Sequence, residues 1–117
     1  MNLNMHEMGI AQNILEIALD AANKEGAQKI TRINLIAGEL RGIVPLQLTF
    51  CFGMVAKDTI ASSAYLNIDS VPVTGHCDDC GSDFPVEEYQ YLCPKCSSTK
   101  IQVTGGTELK IKDIEIE

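Results

Sequence analysis

Apolar residues recur at helical spacing from about Gly9 to Glu25. Ile10, Ile14, Ile17, Ala18 and Ala21 fall on one broad face, widened by Leu15 and Ala22. Asp20, Asn23, Lys24 and Glu25 gather on the other side and at the end, where Gly26 is placed to stop the helix. The period then changes to two. Ile33, Leu35 and Ala37 alternate with Arg32 and Asn34, so residues 29–37 predict a half-buried strand. A glycine-bracketed loop follows, Gly38 to Gly42. Pro45 suits the first turn of a second helix. Leu46, Leu48, Thr49, Phe52 and Val55 give that helix its apolar bulk, Phe50 and Cys51 fill in, and residues 57–59 end it.

Residues 64–69 alternate again and predict a second strand. The last apolar run is Leu109, Ile111, Ile114 and Ile116, whose alternation slips one place at Lys112-Asp113 and predicts a β-bulge or strand end there. Such a strand needs a sheet to join. The segment from about 75 to 104 is a poor host, because Phe84, Val86, Tyr89, Tyr91 and Leu92 are too few for a core. Returning the strand to the first half makes that segment an insertion. The expected fold class is α+β: two helices on a small three-stranded sheet, with an inserted module. The expected domains are residues 1–72 with 106–117, and residues 73–105.

Composition narrows the function classes. The chain has 117 residues, a net charge of −7 and only 5% aromatic residues. Nucleic-acid wrapping needs clustered Lys and Arg, and a membrane-surface helix needs a basic face, so neither partner is expected. No segment is long enough to span a bilayer, and no charged n-region precedes an apolar stretch at the start. Paired thiols without an export signal point to the cytoplasm.

Those thiols are Cys77-Asp78-Asp79-Cys80 and Cys93-Pro94-Lys95-Cys96, with twelve residues between the pairs. Two CxxC pairs at this spacing match a tetrahedral Zn²⁺ site of four thiolates. Gly81 helps close the first turn and Pro94 stiffens the second. Two disulfides or four unrelated thiols are the alternatives. Such a closed site has no open position for chemistry, so it describes folding. Metal binding would supply on the order of 10 kcal/mol to a module without its own core.

Near the start stands Met5-His6-Glu7. Taken alone it is a solvated terminus in which Glu7 favours the helix dipole. However, Met5-His6-Glu7-Met8-Gly9-Ile10-Ala11, then Leu35 to Leu40 (LIAGEL), Pro45 and Phe50, the cysteine quartet, Gly105 to Leu109 (GGTEL) and Ile114 to Glu117 (IEIE) occur in that order. From residue 5 to the end the chain resembles the HypA/HybF family of nickel-insertion proteins of NiFe-hydrogenase maturation. The resemblance implies a nickel-binding domain of two helices on a small sheet, carrying an inserted zinc domain. It implies Ni²⁺ as transported metal, held through Met5, His6 and Glu7, and structural Zn²⁺ at Cys77, Cys80, Cys93 and Cys96. It further implies a HypB-type GTPase partner, a hydrogenase large-subunit precursor as recipient, and exchange with urease maturation proteins.

The chemistry suits nickel if Met5 begins the working protein. Its α-amine, the deprotonated His6 amide and His6 Nδ1 would close two chelate rings in one plane, as Ni(II) prefers. The Glu7 amide nitrogen or carboxylate would complete the set. Three features depart from the family pattern. Residues 1–4 precede Met5 and would turn its amine into a peptide nitrogen. Gly9 stands where Ser is common, removing a hydroxyl cap and letting the helix start fray. Leu46-Gln47 stands where an acidic residue is common.

Other residues have blander readings. His76 is expected as a non-ligating neighbour of Cys77, Cys51 as a small core residue, Glu39 as a solvated carboxylate, and Asp78 and Asp79 as surface groups. No Ser/His/Asp set or phosphate loop supports an enzyme. A zinc-ribbon module for protein or nucleic-acid contact is the alternative function, and the acidic balance opposes its nucleic-acid form. Strand exchange between chains stays open, so a homodimer remains among the partners.

Overall fold

The structure is a computed structural model that describes the chain from residue 3 to residue 117, with side chains from residue 6 onward. In order, the elements are α1 (Leu3–Lys24), β1 (Ile30–Gly38), α2 (Pro45–Val55), β2 (Tyr65–Val71), β3 (Thr74–Cys77), β4 (Asp83–Pro85), β5 (Ile101–Gly105) and β6 (Leu109–Ile116). They form two three-stranded sheets, ordered β2-β1-β6 and β4-β3-β5. The last strand therefore lies beside β1, as its apolar pattern requires. The chain is α+β, with two helices, two small sheets and a four-cysteine module. Chain packing separates it into two compact units, one of Met1–Leu35, Ile43–Asp69 and Lys110–Glu117, the other of Ile36–Gly42 and Ser70–Leu109.

In the first unit, α1 ends where Gly26 enters the left-handed region at φ +67°. Ala27 N–H donates to Ala22 C=O at 3.0 Å and Gly26 N–H to Asn23 C=O at 3.1 Å, the two bonds of a Schellman stop. The helix starts earlier than its apolar pattern predicts, at Leu3 and not Gly9, so Gly9 lies inside it. The buried face also differs. Ala11, Ile14, Ala18 and Ala22 are buried, together with Glu7, whereas Ile17 is 58% exposed and Ala21 is exposed. The helix carries two apolar stripes, and periodicity cannot say which one is covered. The covered stripe is rich in Ala, whose small side chain lets helices approach closely.

The second helix shows the same ambiguity. Leu48, Cys51 and Phe52 are buried, but Leu46 and Phe50 are 83% and 70% exposed. Both were expected as apolar bulk, and eleven residues without a charge offered no polar face to reveal the outer side. In the sheet, Ile33 and Leu35 of β1 and Leu66 of β2 are buried. Along β6 the half-buried positions are Leu109, Ile111 and Ile114; the strand runs through Lys112-Asp113 without the expected end, with Ile114 and Ile116 lining a groove against α1 while Asp113 and Glu115 meet Asn34 and Arg32.

The second unit has a small core of Val73, Cys77, Phe84, Val86 and Cys93, with Leu40 and Ile101 packed against it. Tyr89 and Leu92, counted among its apolar residues, are largely exposed. Strand β3 pairs antiparallel with β4 and with β5, and the β5 register shifts between Thr74 and Gly75. Within this unit Gly38 N–H donates to Glu108 C=O and Leu40 N–H to Gly106 C=O. The backbones lie so close that a Cβ on Gly38 would sit 2.1 Å from the Gly106 carbonyl oxygen. Gly106 itself has φ +104°. These two glycines answer a steric demand.

Candidate metal centre

The two CxxC segments fold as copies of one turn. In the first, Gly81 N–H donates to Cys77 C=O at 2.8 Å, and Cys77 N–H to Ser82 C=O at 2.9 Å. In the second, Ser97 N–H donates to Cys93 C=O and Cys93 N–H to Ser98 C=O, both at 2.9 Å. The fifth residue of each turn is left-handed, Gly81 at φ +76° and Ser97 at φ +62°. Gly81 was legible as that residue. Ser97 was not, because serine rarely adopts this conformation. Aligning the two segments position by position would have found it.

The turns aim four sulfurs at one point. The Sγ atoms of Cys77, Cys80, Cys93 and Cys96 all lie within 4.8 Å of one another. Cys77 and Cys96 are 3.5 Å apart, as are Cys80 and Cys93. A disulfide needs about 2.05 Å, so neither contact is one, and all four cysteines are free thiols in the structure. A tetrahedron with metal–sulfur bonds of about 2.3 Å has edges near 3.8 Å, close to the observed spacing. The donor set fits a tetrahedral metal that prefers sulfur. Among the described residues no second group of three or more such ligands comes together.

Electrostatics point the same way. Cys80 is held down to about 6, first by the Ser82 hydroxyl and backbone N–H and then by Cys93. At Cys96 the Ser98 N–H pulls downward, but Cys77, burial and the other sulfurs outweigh it and push the thiol up to about 12. Sulfurs this close cannot all be charged without a cation between them. Lys95 N–H, 3.4 Å from Cys93 Sγ, supplies a further donor.

The neighbouring polar groups brace the turns. Asp79 accepts the Ser98 hydroxyl, which ties the first turn to the second, and Asp78 accepts the Gln102 amide at 3.0 Å. Neither belongs to the ligand group. His76 also stands outside it: Nδ1 lies 2.7 Å from Asp83 Oδ1. That hydrogen bond, against an opposing effect of burial, raises its pKa. Cys51 is buried in the first unit and Glu39 is exposed.

At the other expected metal site the residues diverge. His6 is exposed on α1. Glu7, its neighbour, is 0% exposed. Oε2 accepts the backbone N–H of Val44 at 3.1 Å, the N-cap residue of α2. Val44 has no hydroxyl to cap the helix, and a carboxylate from α1 occupies the positive end instead. Oε1 is buried without a hydrogen-bond partner, and so is Oε1 of Gln47 in the first turn of α2. The side chain of Met5 lies outside the described residues, and so does the expectation attached to it.

Comparison with known proteins follows the same pattern. Residues 5–116 match the family model described as “HypA: Hydrogenase/urease nickel incorporation, metallochaperone, hypA”. The chain is 40% identical over 113 residues to the hydrogenase maturation factor HypA of Albidiferax ferrireducens, covering 97% of this chain and all of that one. It is 41% identical to the HypA of Pelodictyon phaeoclathratiforme, covering 97% of each. Among solved structures it resembles a solution structure of a HypA protein, with a TM-score of 0.74 and 25% identity over 97% of both chains. It also shares the fold of the Ni metallochaperone HypA from Helicobacter pylori, with a TM-score of 0.66 at 24% identity, covering 94% of this chain and 96% of that one.

Proposed function

Because the chain belongs to the HypA family of hydrogenase and urease nickel-incorporation metallochaperones, we propose that it binds Ni²⁺ through Met5, His6 and Glu7 and delivers it for NiFe-hydrogenase maturation. It acts without catalysis of its own, in the cytoplasm. Its partners are a HypB-type GTPase and a large-subunit precursor, with exchange toward urease maturation proteins. Zn²⁺ occupies the four cysteines as a structural ion. The nickel-handling domain is residues 1–72 with 106–117, and residues 73–105 form the zinc-bearing insertion.

The observation that carries this reading is the contrast between neighbours: an exposed imidazole at His6 beside a fully buried carboxylate at Glu7. The imidazole is accessible to an incoming or departing metal. The carboxylate is engaged with Val44, so the donor we assign to Glu7 is its amide nitrogen. In a chain that includes residues 1–4, amide coordination at His6 and Glu7 requires the first turn of α1 to open, because a helical N–H is committed to the carbonyl four residues back; in a chain beginning at Met5 those carbonyls are absent and both amides are available. Gly9, a poor helix former in the next turn, lowers the cost of that opening. In the longer chain nickel uptake and loss of a few helical residues are then one event.

The test is a Ni²⁺ titration of two zinc-loaded versions, one beginning at Met1 and one at Met5, followed by calorimetry and circular dichroism. Tight binding is expected, strongest in the shorter version, with loss of helical signal in the longer one. Absence of tight binding in both versions overturns the assignment.

A further inference from the structure

The second unit holds a cavity of about 140 Å³ that the four cysteines do not share, lined by Glu39, Val73, Val86, Glu88 and Tyr89. Its floor is apolar. Val73 and Val86 are buried, and Val86 N–H donates to Val73 C=O at 2.9 Å, which fixes the two side by side. Its rim is polar, because Glu39, Glu88 and Tyr89 are all exposed. Among the described residues neither carboxylate has a hydrogen-bond or ion-pair partner. We propose that this cavity receives an arginine side chain of a partner protein.

Two local features hold the rim. Glu39 opens the short 3₁₀ turn Glu39–Arg41, where the N–H of Leu40 donates to Gly106 C=O at 2.8 Å. Glu88 and Tyr89 are the central residues of a tight turn closed by Gln90 N–H, which donates to Glu87 C=O at 2.9 Å. Both are left-handed, at φ +52° and +59°. A turn with two left-handed centres normally takes Asn or Gly at them. A glutamate and a tyrosine are strained there, and strain of this kind concentrates at ligand clamps. The turn thus delivers to the cavity two side chains that its own geometry would not select.

The lining selects the occupant. An arginine side chain is apolar along its stem and cationic at its planar head. The stem matches the valine floor. The guanidinium has separate N–H donors for the two carboxylates and a flat face for the Tyr89 ring. An acidic side chain would be repelled by the rim, and lysine offers a point charge with neither fork nor plane. A net charge of −7 favours the approach of a basic surface. This inference stands apart from the nickel reading, since no residue of the cavity is among the nickel donors.

The test uses the full chain loaded with Zn²⁺, with methyl and aromatic NMR spectra followed during a titration. The probe is Nα-acetyl-arginine methylamide, whose blocked ends mimic an arginine within a chain. Saturable shifts at Val73, Val86 and Tyr89 are expected. The citrulline counterpart, neutral and nearly the same shape, should bind about fivefold more weakly or worse, and so should the arginine probe to Glu39→Gln/Glu88→Gln. Tyr89→Gly removes the ring while suiting the left-handed turn, so it should also weaken binding, and it decides the matter if the double variant fails to fold. Free arginine, whose carboxylate the rim repels, should bind less well than the probe. The proposal is overturned by the lack of saturable shifts at these residues, by equal binding of the citrulline probe, or by unchanged binding in the folded variants. Tighter binding of free arginine overturns it too, because the occupant would then be a small molecule and not a partner protein.

Discussion

Glu7 Oε2 accepts the Val44 backbone N–H at 3.1 Å, so the first helix caps the second. The carboxylate is fully buried and its other oxygen has no partner. Glu7→Ala removes the acceptor of the Val44 N–H and opens a cavity where a fully buried side chain stood, so a loss of about 2–4 kcal/mol is expected. Glu7→Gln retains an acceptor for Val44 and should lose less. Urea denaturation of the three proteins checks the order. Equal stability of Glu7→Ala and wild type would contradict the capping role.

Gly38 and Gly106 predict a steric failure. An alanine methyl at Gly38 would lie 2.1 Å from the Gly106 carbonyl oxygen, well inside contact distance and against backbone. The strands must separate, breaking the Gly38–Glu108 and Leu40–Gly106 bonds. Gly38→Ala should cost more than about 2 kcal/mol, at the upper end of point-mutant effects. Thermal melts followed by far-ultraviolet circular dichroism measure it, and an unchanged midpoint would count against the observed approach.

The opposite result is expected at Gly9. It lies inside α1, and an added Cβ would meet nothing within 4 Å. Gly9→Ala should stabilise the chain by about 0.4–1 kcal/mol. In the chain beginning at Met1 it should also weaken Ni²⁺ binding, because the first turn becomes harder to unwind. A variant that is more stable and binds nickel equally well leaves no role for that opening.

Removing the metal should have a local effect. The second unit has a core of five buried residues, two of which, Cys77 and Cys93, belong to the four-cysteine cluster. Chelation withdraws folding free energy on the order of 10 kcal/mol from it. Hydrogen exchange should then show protection lost across β3, β4 and β5, while α1 and α2 stay protected. Uniform protection after complete metal removal would show that the unit folds without its metal.

What was legible in the sequence was local. The cysteine turns, the Gly26 stop and the Pro45 helix start each depend on residues a few positions apart. The return of β6 was legible too, because an apolar strand must have a sheet. The buried stripe of α1 was not, since Ile17 and Ala18 are both apolar and only the packed partner selects between them. Leu46 and Phe50 were misplaced for the same reason. The engagement of Glu7 with Val44 spans 37 positions and leaves no trace in local pattern. His6 is a different case. Its significance came from its ordered company along the chain, and the structure adds that it is exposed.

The central claim is that His6 holds the nickel while the four cysteines hold a separate structural ion. Calorimetric titration of Ni²⁺ into the zinc-loaded chain and into its His6→Ala variant, with zinc content measured in both, tests it most directly. The account predicts that the variant loses tight nickel binding and keeps its full zinc complement. Equal nickel affinity in the two proteins would contradict it.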